Sequence, residues 1–168
     1  MSPRRSLILV VLVLLLAVPL AASAKLPAPK DKTIVVGVSI AGAKIGGGLT
    51  AAKFAWGPGG TCKPAPSATY TAFRCVWLGT KGASMDFLSV SGVLRQVRIV
   101  AGSGAKGPLT AFRTAKGIGI GSTEKAVRKA YKKFAPSAPG LLVLKGARGN
   151  TIFSIAQGKV NLISLVAP

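Results

Sequence analysis

The stretch that decides the fold is Gly117-Ile118-Gly119-Ile120-Gly121-Ser122-Thr123-Glu124-Lys125-Ala126-Val127-Arg128-Lys129-Ala130-Tyr131. After the glycine-rich opening, Ala126, Val127, Ala130, Tyr131 and Phe134 recur at helical spacing. One apolar stripe with that period marks a helix lying on a core. Ser122 is suited to cap the first turn, Glu124 places a negative charge where a helix start favours it, and Pro136 stops the helix. Lys125, Arg128, Lys129, Lys132 and Lys133 fill the remaining positions and form a cationic helix face. The 117–121 run reads as a strand packed closely against this helix. It lacks the spacing of the dinucleotide fingerprint, and no acidic residue follows about 20 positions later.

The same opening occurs earlier in the chain. Ile45-Gly46 stands 75 residues before Ile120-Gly121, and Ala51, Lys53, Ala55 and Trp56 then match Ala126, Arg128, Ala130 and Tyr131. A first helix is therefore expected over 49–56, with Leu49, Ala52, Phe54 and Trp56 as its apolar members. Gly57-Pro58-Gly59-Gly60 ends it. Strands are expected over 33–38 and 68–77, and over 85–90 and 93–100 joined by Ser91-Gly92. In the last of these, Leu94, Val97 and Ile99 form the buried set and Arg95 and Arg98 point to water. An extended segment over 109–115 precedes the second helix. Strands over 141–144, 151–156 and 159–166 follow that helix, the last two joined by Gln157-Gly158. Gly92, Leu94, Val97 and Ile99 match Gly158, Val160, Ile163 and Leu165 at an offset of 66.

The expected fold class is α+β: two repeats of a helix packed on about three antiparallel strands. One such half buries too little apolar surface alone, so pairing two is physically sensible. The boundaries read as a leader over 1–24, a loose Pro- and Lys-rich lead-in over 25–32, a first repeat over 33–102 and a second over 109–168. A Gly-rich linker over 101–108 joins the halves.

The leader has the three parts of a signal peptide. Arg4 and Arg5 precede an uncharged apolar run over 7–20, and Ala22-Ser23-Ala24 supplies a small-x-small cleavage site before Lys25. The 14-residue run falls short of the ~20 residues a spanning helix needs. Removing the leader takes two of the 23 Lys and Arg residues. The remaining 21 face only Asp31, Asp86 and Glu124, a formal net charge of +18. One sign of charge over a small surface attracts polyanions. Lysines outnumber arginines, which favours diffuse attraction over bidentate recognition.

Export also frames the two cysteines. Cys62 and Cys75 are expected to form one disulfide in an oxidising compartment. Two thiols with no histidine in the chain give too few ligands for a metal site.

Ser39-Ile40-Ala41-Gly42-Ala43-Lys44-Ile45-Gly46 and the 114–124 segment, with Ala126-Val127-Arg128 after it, resemble a group of uncharacterised exported actinobacterial proteins. In architecture the chain is similar to the tandem-repeat β-lactamase-inhibitor proteins and to the small lipoprotein subunit of the outer-membrane barrel-assembly machinery. The resemblance implies a fold that binds other proteins through sheets and loops. No cysteine stands at the cleavage point, so the lipoprotein role does not carry over. The inhibitors' contact residues have no counterparts, so β-lactamase binding is not implied.

Catalytic equipment is sparse. Without histidine there is no Ser-His or Cys-His pair, and three scattered acids make a poor source for a carboxylate pair. Ser122-Thr123-Glu124-Lys125 fits S-x-x-K, but the partner Ser-Asp-Asn and Lys-Thr-Gly motifs are absent. No catalytic residue, metal or cofactor is assigned. The expected function is that of a secreted, non-enzymatic basic protein associating with an anionic wall polymer, a lipid surface or an acidic protein, and not with a specific nucleic acid. The alternative is a specific protein-binding module or inhibitor acting through its sheet face. Trp56, Tyr70, Phe73 and Trp77 would favour that alternative if they clustered outside the core.

Overall fold

The computed structural model describes residues 26–66, 69–103 and 107–168. The leader and the cleavage site at Ala24 and Lys25 lie outside the described residues. Among the described residues, eleven strands and two α-helices make an α+β fold with two sheets. A small sheet contains β1 (Thr33–Val35), β2 (Ser39–Ile40), β3 (Ala43–Lys44) and β8 (Arg113–Thr114) in the order β3-β2-β1-β8. Its β1–β8 pair is parallel and ties the start of the chain to its middle. The large sheet is built from β4 (Thr61–Pro64), β5 (Ala72–Leu78), β6 (Ser84–Val90), β7 (Val93–Val100), β9 (Leu141–Lys145), β10 (Asn150–Ala156) and β11 (Lys159–Val166). Its seven strands run β4-β5-β6-β7-β11-β10-β9, every neighbour antiparallel.

The helices are α1 (Leu49–Trp56) and α2 (Glu124–Ala130). Gly57, at φ 80, ends α1 as its amide donates to the Lys53 carbonyl. Positive φ is open to glycine at little cost, so the chain leaves the helix there without strain. The second helix differs from expectation at both ends. Thr123, not Ser122, is its cap, accepting the Ala126 amide. The helix stops at Ala130, and Tyr131 is already extended at φ −127, ψ 127. Lys116 Nζ donates to the exposed Ala130 carbonyl at 2.8 Å. Beyond it, the Ala135 amide donates to Val143 on the sheet edge. These contacts replace the extra helical turn that the 131–134 spacing suggested.

Other boundaries moved for similar reasons. Only Thr33–Val35 of the first expected strand pairs, because Val36, Gly37 and Val38 turn the chain back. The 109–115 segment is a 3-10 turn followed by two strand residues. The 117–121 run is a bend, a single antiparallel bridge from Gly119 to Arg113 and a turn, with Ile118 and Ile120 buried. Within the lead-in, Pro27 and Pro29 are buried and Leu26 lies against Gly79, while Ala28, Lys30, Asp31 and Lys32 are exposed.

One face of the large sheet holds the core. Register partners in an antiparallel sheet share a face, so Phe87, Val97, Leu165 and Thr151 form one row and Met85, Ile99, Ile163 and Phe153 another. All eight are fully buried. Trp56 from α1 packs on Trp77 and Phe87, with ring centroids 5.2 and 5.3 Å away. Tyr131, just past α2, stacks on Phe153 at 6.2 Å. Each aromatic pair adds ~0.5–1.5 kcal/mol beyond its burial. Both indole N–H groups are satisfied, Trp56 by the Ile40 carbonyl and Trp77 by Pro58.

The two halves make matching hydrogen bonds. Gly46 donates to Leu94 as Gly121 does to Val160, and Leu49 donates to Gly92 as Glu124 does to Gly158. Leu94 donates to Gly47 as Val160 does to Ser122. Bulges fall at Leu88/Ser89 and at Ser154/Ile155. The turns Ser91-Gly92 and Gln157-Gly158 both have two consecutive positive φ angles, the conformation whose twist suits a two-residue hairpin. Arg98 and Ser164, which hold matching places in their hairpins, face each other where β7 meets β11.

Candidate binding surface

The side of the large sheet away from the core presents the alternate residues of each strand. One row runs Val76, Asp86, Arg98, Ser164, Ile152, Val143. The next runs Lys63, Arg74, Leu88, Gln96, Val166, Asn150, Lys145. None of these side chains belongs to the buried core cluster. Most of the aliphatic ones are half-buried, and Leu78, in the row beyond Val76, is exposed.

At the first-half end of this face lies an ionic cluster. Asp86 is 2 % exposed and sits between two arginines. Arg74 Nη1 donates to its Oδ1 at 2.6 Å. Arg98 holds both carboxylate oxygens, through Nε at 3.0 and 3.1 Å and Nη2 at 3.0 Å. As the strand alternation indicated, Arg98 lies on the face away from the core. There its register partner Asp86 holds it along the sheet surface, because a buried carboxylate needs cationic donors. Gln96 stands beside them, its Oε1 3.5 Å from Arg74 Nη2.

The expected cationic helix face divides in two. Lys125, Arg128 and Lys129 are exposed on α2, whereas Lys132 and Lys133 are exposed on the extended chain after it. Arg128 pairs with Glu124 at 2.7 Å and lies over the Phe134 ring. Lys125, Lys129, Lys132 and Lys133 have no acidic partner among the described residues. The third acid, Asp31, accepts the Thr33 amide at 2.7 Å.

Cys62 and Cys75 are bonded, directly opposite each other across β4 and β5. Ser122 spends its hydroxyl on structure: Oγ accepts from the Gly119 amide and from Arg113 Nη1, both at 3.0 Å. Among the described residues no three His, Cys, Asp or Glu side chains come together. Trp56 and Trp77 are core residues, Phe73 is half-buried and Tyr70 is exposed. Of the four aromatics named for a protein-binding hot spot, the two tryptophans are thus internal, and Tyr70 alone is fully on the surface. Phe54, read as an apolar member of α1, is 90 % exposed. The Arg74–Asp86–Arg98 cluster had one legible signal, Asp86 standing alone as an acid inside a strand.

No known family model, curated protein or solved structure matches the chain.

Proposed function

We propose that the chain is a secreted, non-enzymatic basic binding protein that associates with an anionic partner of the envelope or surroundings. In this reading residues 1–24 direct export and are removed before Lys25. Two copies of one helix-plus-sheet unit form the body, related about the Arg98–Ser164 pair. The matching hydrogen bonds, bulges and turns support that duplication. So does the resemblance to tandem-repeat binding proteins.

The observation that carries the function is the disposition of the acids. Asp86 is buried between two arginines and Glu124 is paired with Arg128. Among the described residues Asp31 alone has no cationic partner, against the +18 net charge of the chain from Lys25 onward. A surface so lacking in free negative charge attracts wall polymer, anionic lipid or acidic protein by long-range field. Immobilised polyglutamate, and vesicles of phosphatidylglycerol against phosphatidylcholine, test this at low and high salt. The reading predicts retention on the anionic probes that falls steeply with salt. Absence of retention at low salt would overturn it.

A second reading, a specific protein-binding module working through the sheet, is favoured by the broad half-buried aliphatic face around the ionic cluster. A complex of fixed stoichiometry that survives high salt is its signature.

A further inference from the structure

We infer that Arg74 and Arg98 form an oxyanion subsite, taking a carboxylate or phosphate whose attached apolar group lies in the trough beside Arg74. This rests on the proposed preference for anionic partners and names what one part of the surface recognises. Three observations carry it. The first is geometric. Two guanidinium groups share a single buried carboxylate, so the cluster keeps a net positive charge and spare N–H donors. Their side chains remain 34 % and 31 % exposed, so the pair is not sealed off from solvent. Each guanidinium is already fixed by its bonds to Asp86, so little side-chain entropy remains to be lost when an anion docks.

The second observation is the neighbouring cavity. A depression of about 470 Å³ lies on the same face, lined by Thr61, Lys63, Pro64, Arg74, Val76 and Leu78 among others. That is within the ~300–1,000 Å³ range of small-molecule sites. Its walls are mainly apolar, and its cationic groups are Lys63 and Arg74, register partners across β4 and β5. An apolar trough with a cationic end suits an amphiphilic anion.

The third is the other half of the sheet. Where the first half has Asp86 flanked by Val76 and Arg98, the second has Ile152 flanked by Val143 and Ser164. The fold therefore closes the equivalent place with no charge at all. Buried ion clusters are seldom more stabilising than well-packed apolar residues of similar size. Folding alone gives no reason to keep this one, whereas recognition of an oxyanion does.

The test titrates the chain from Lys25 onward with octanoate, octyl phosphate, octanol and inorganic phosphate, followed by amide and arginine Nε chemical shifts. Octanoate and octyl phosphate should give saturable shifts on β4, β5, β6 and β7, and octanol should not. A tighter fit for octyl phosphate points to a lipid headgroup as the natural source, a tighter fit for octanoate to a carboxylate. Arg74→Gln should weaken binding roughly 10-fold or more. Arg98 still holds both oxygens of Asp86 in that variant, so the fold survives, and Arg74→Lys should recover part of the affinity. Lys53→Gln, exposed on α1 and outside the sheet face, should change nothing. Octanol binding as well as octanoate, no saturable shift, or unchanged affinity in Arg74→Gln would each overturn the subsite. Polyglutamate retention measured on the same samples separates the two claims. Retention without octanoate binding removes the subsite alone, and octanoate binding without retention removes the broader reading alone.

Discussion

Replacing Asp86 by alanine should be among the most damaging polar substitutions in this protein, yet removing the whole cluster should be nearly harmless. In Asp86→Ala the two guanidinium groups lose their shared carboxylate and face each other as like charges. Breaking a buried ion pair costs about 3–5 kcal/mol. Both arginines are about one-third exposed, so water takes up part of the lost interaction, and a loss of roughly 2–3 kcal/mol is expected. For a domain of this size that lowers Tm by roughly 6–12 °C. The triple variant R74L/D86I/R98S leaves no orphaned charge, and its new isoleucine and serine copy Ile152 and Ser164 in the other half. Its stability should lie within about 1 kcal/mol of the parent. Urea unfolding followed by tryptophan emission is the assay, since Trp56 and Trp77 are buried at the centre of the first-half core. A triple variant as unstable as Asp86→Ala would refute the reasoning, because the cluster would then be a structural requirement.

Phe87→Ala should cost about 3–5 kcal/mol in the same assay, because it opens a cavity beneath both tryptophans. Cys62→Ser with Cys75→Ser, or reduction, should lower stability by roughly 3 kcal/mol, as expected for closure of so short a loop, with circular dichroism retaining the sheet signal. Gly37→Ala should destabilise by more than the ~1 kcal/mol of a left-handed alanine. Gly37 has φ +67, and an added Cβ would lie 2.4 Å from the Gly146 backbone, so thermal melts should show a larger fall than for Gly158→Ala, where nothing is near. Thr123→Ala should remove the α2 cap and cost ~1 kcal/mol, readable as faster amide exchange at Ala126.

Much of the fold was legible in the sequence because its signals are local. The two-residue turns at Ser91-Gly92 and Gln157-Gly158 set strand lengths and register, and β7 begins and ends where its pattern indicates. Burial of Leu94, Val97 and Ile99 followed from alternation and is observed. The α+β class and the disulfide are likewise observed. What stayed hidden depends on distant partners. The early end of α2 is decided by Lys116, Phe153 and Val143, none of which lies near Tyr131 in sequence. The place of Leu26 depends on Gly79, and the two-strand pairing of β1 with β8 on residues far downstream. Phe54 misled because an apolar side chain on a short helix need not face the core. The candidate subsite was hidden for a related reason: Arg74, Asp86 and Arg98 meet only through the registers of three strands.

The central claim is that the unneutralised positive surface serves to bind. The most direct measurement is the affinity of the chain from Lys25 onward for envelope isolated from the cells that make it, taken across a salt series. It is set beside K125Q/K129Q/K132Q/K133Q, which removes four exposed cations and leaves the Asp86 cluster intact. The account predicts binding that weakens steeply with salt and a clearly lower affinity, with a shallower salt dependence, in the variant. Equal binding by both proteins, or no binding at low salt, would contradict it.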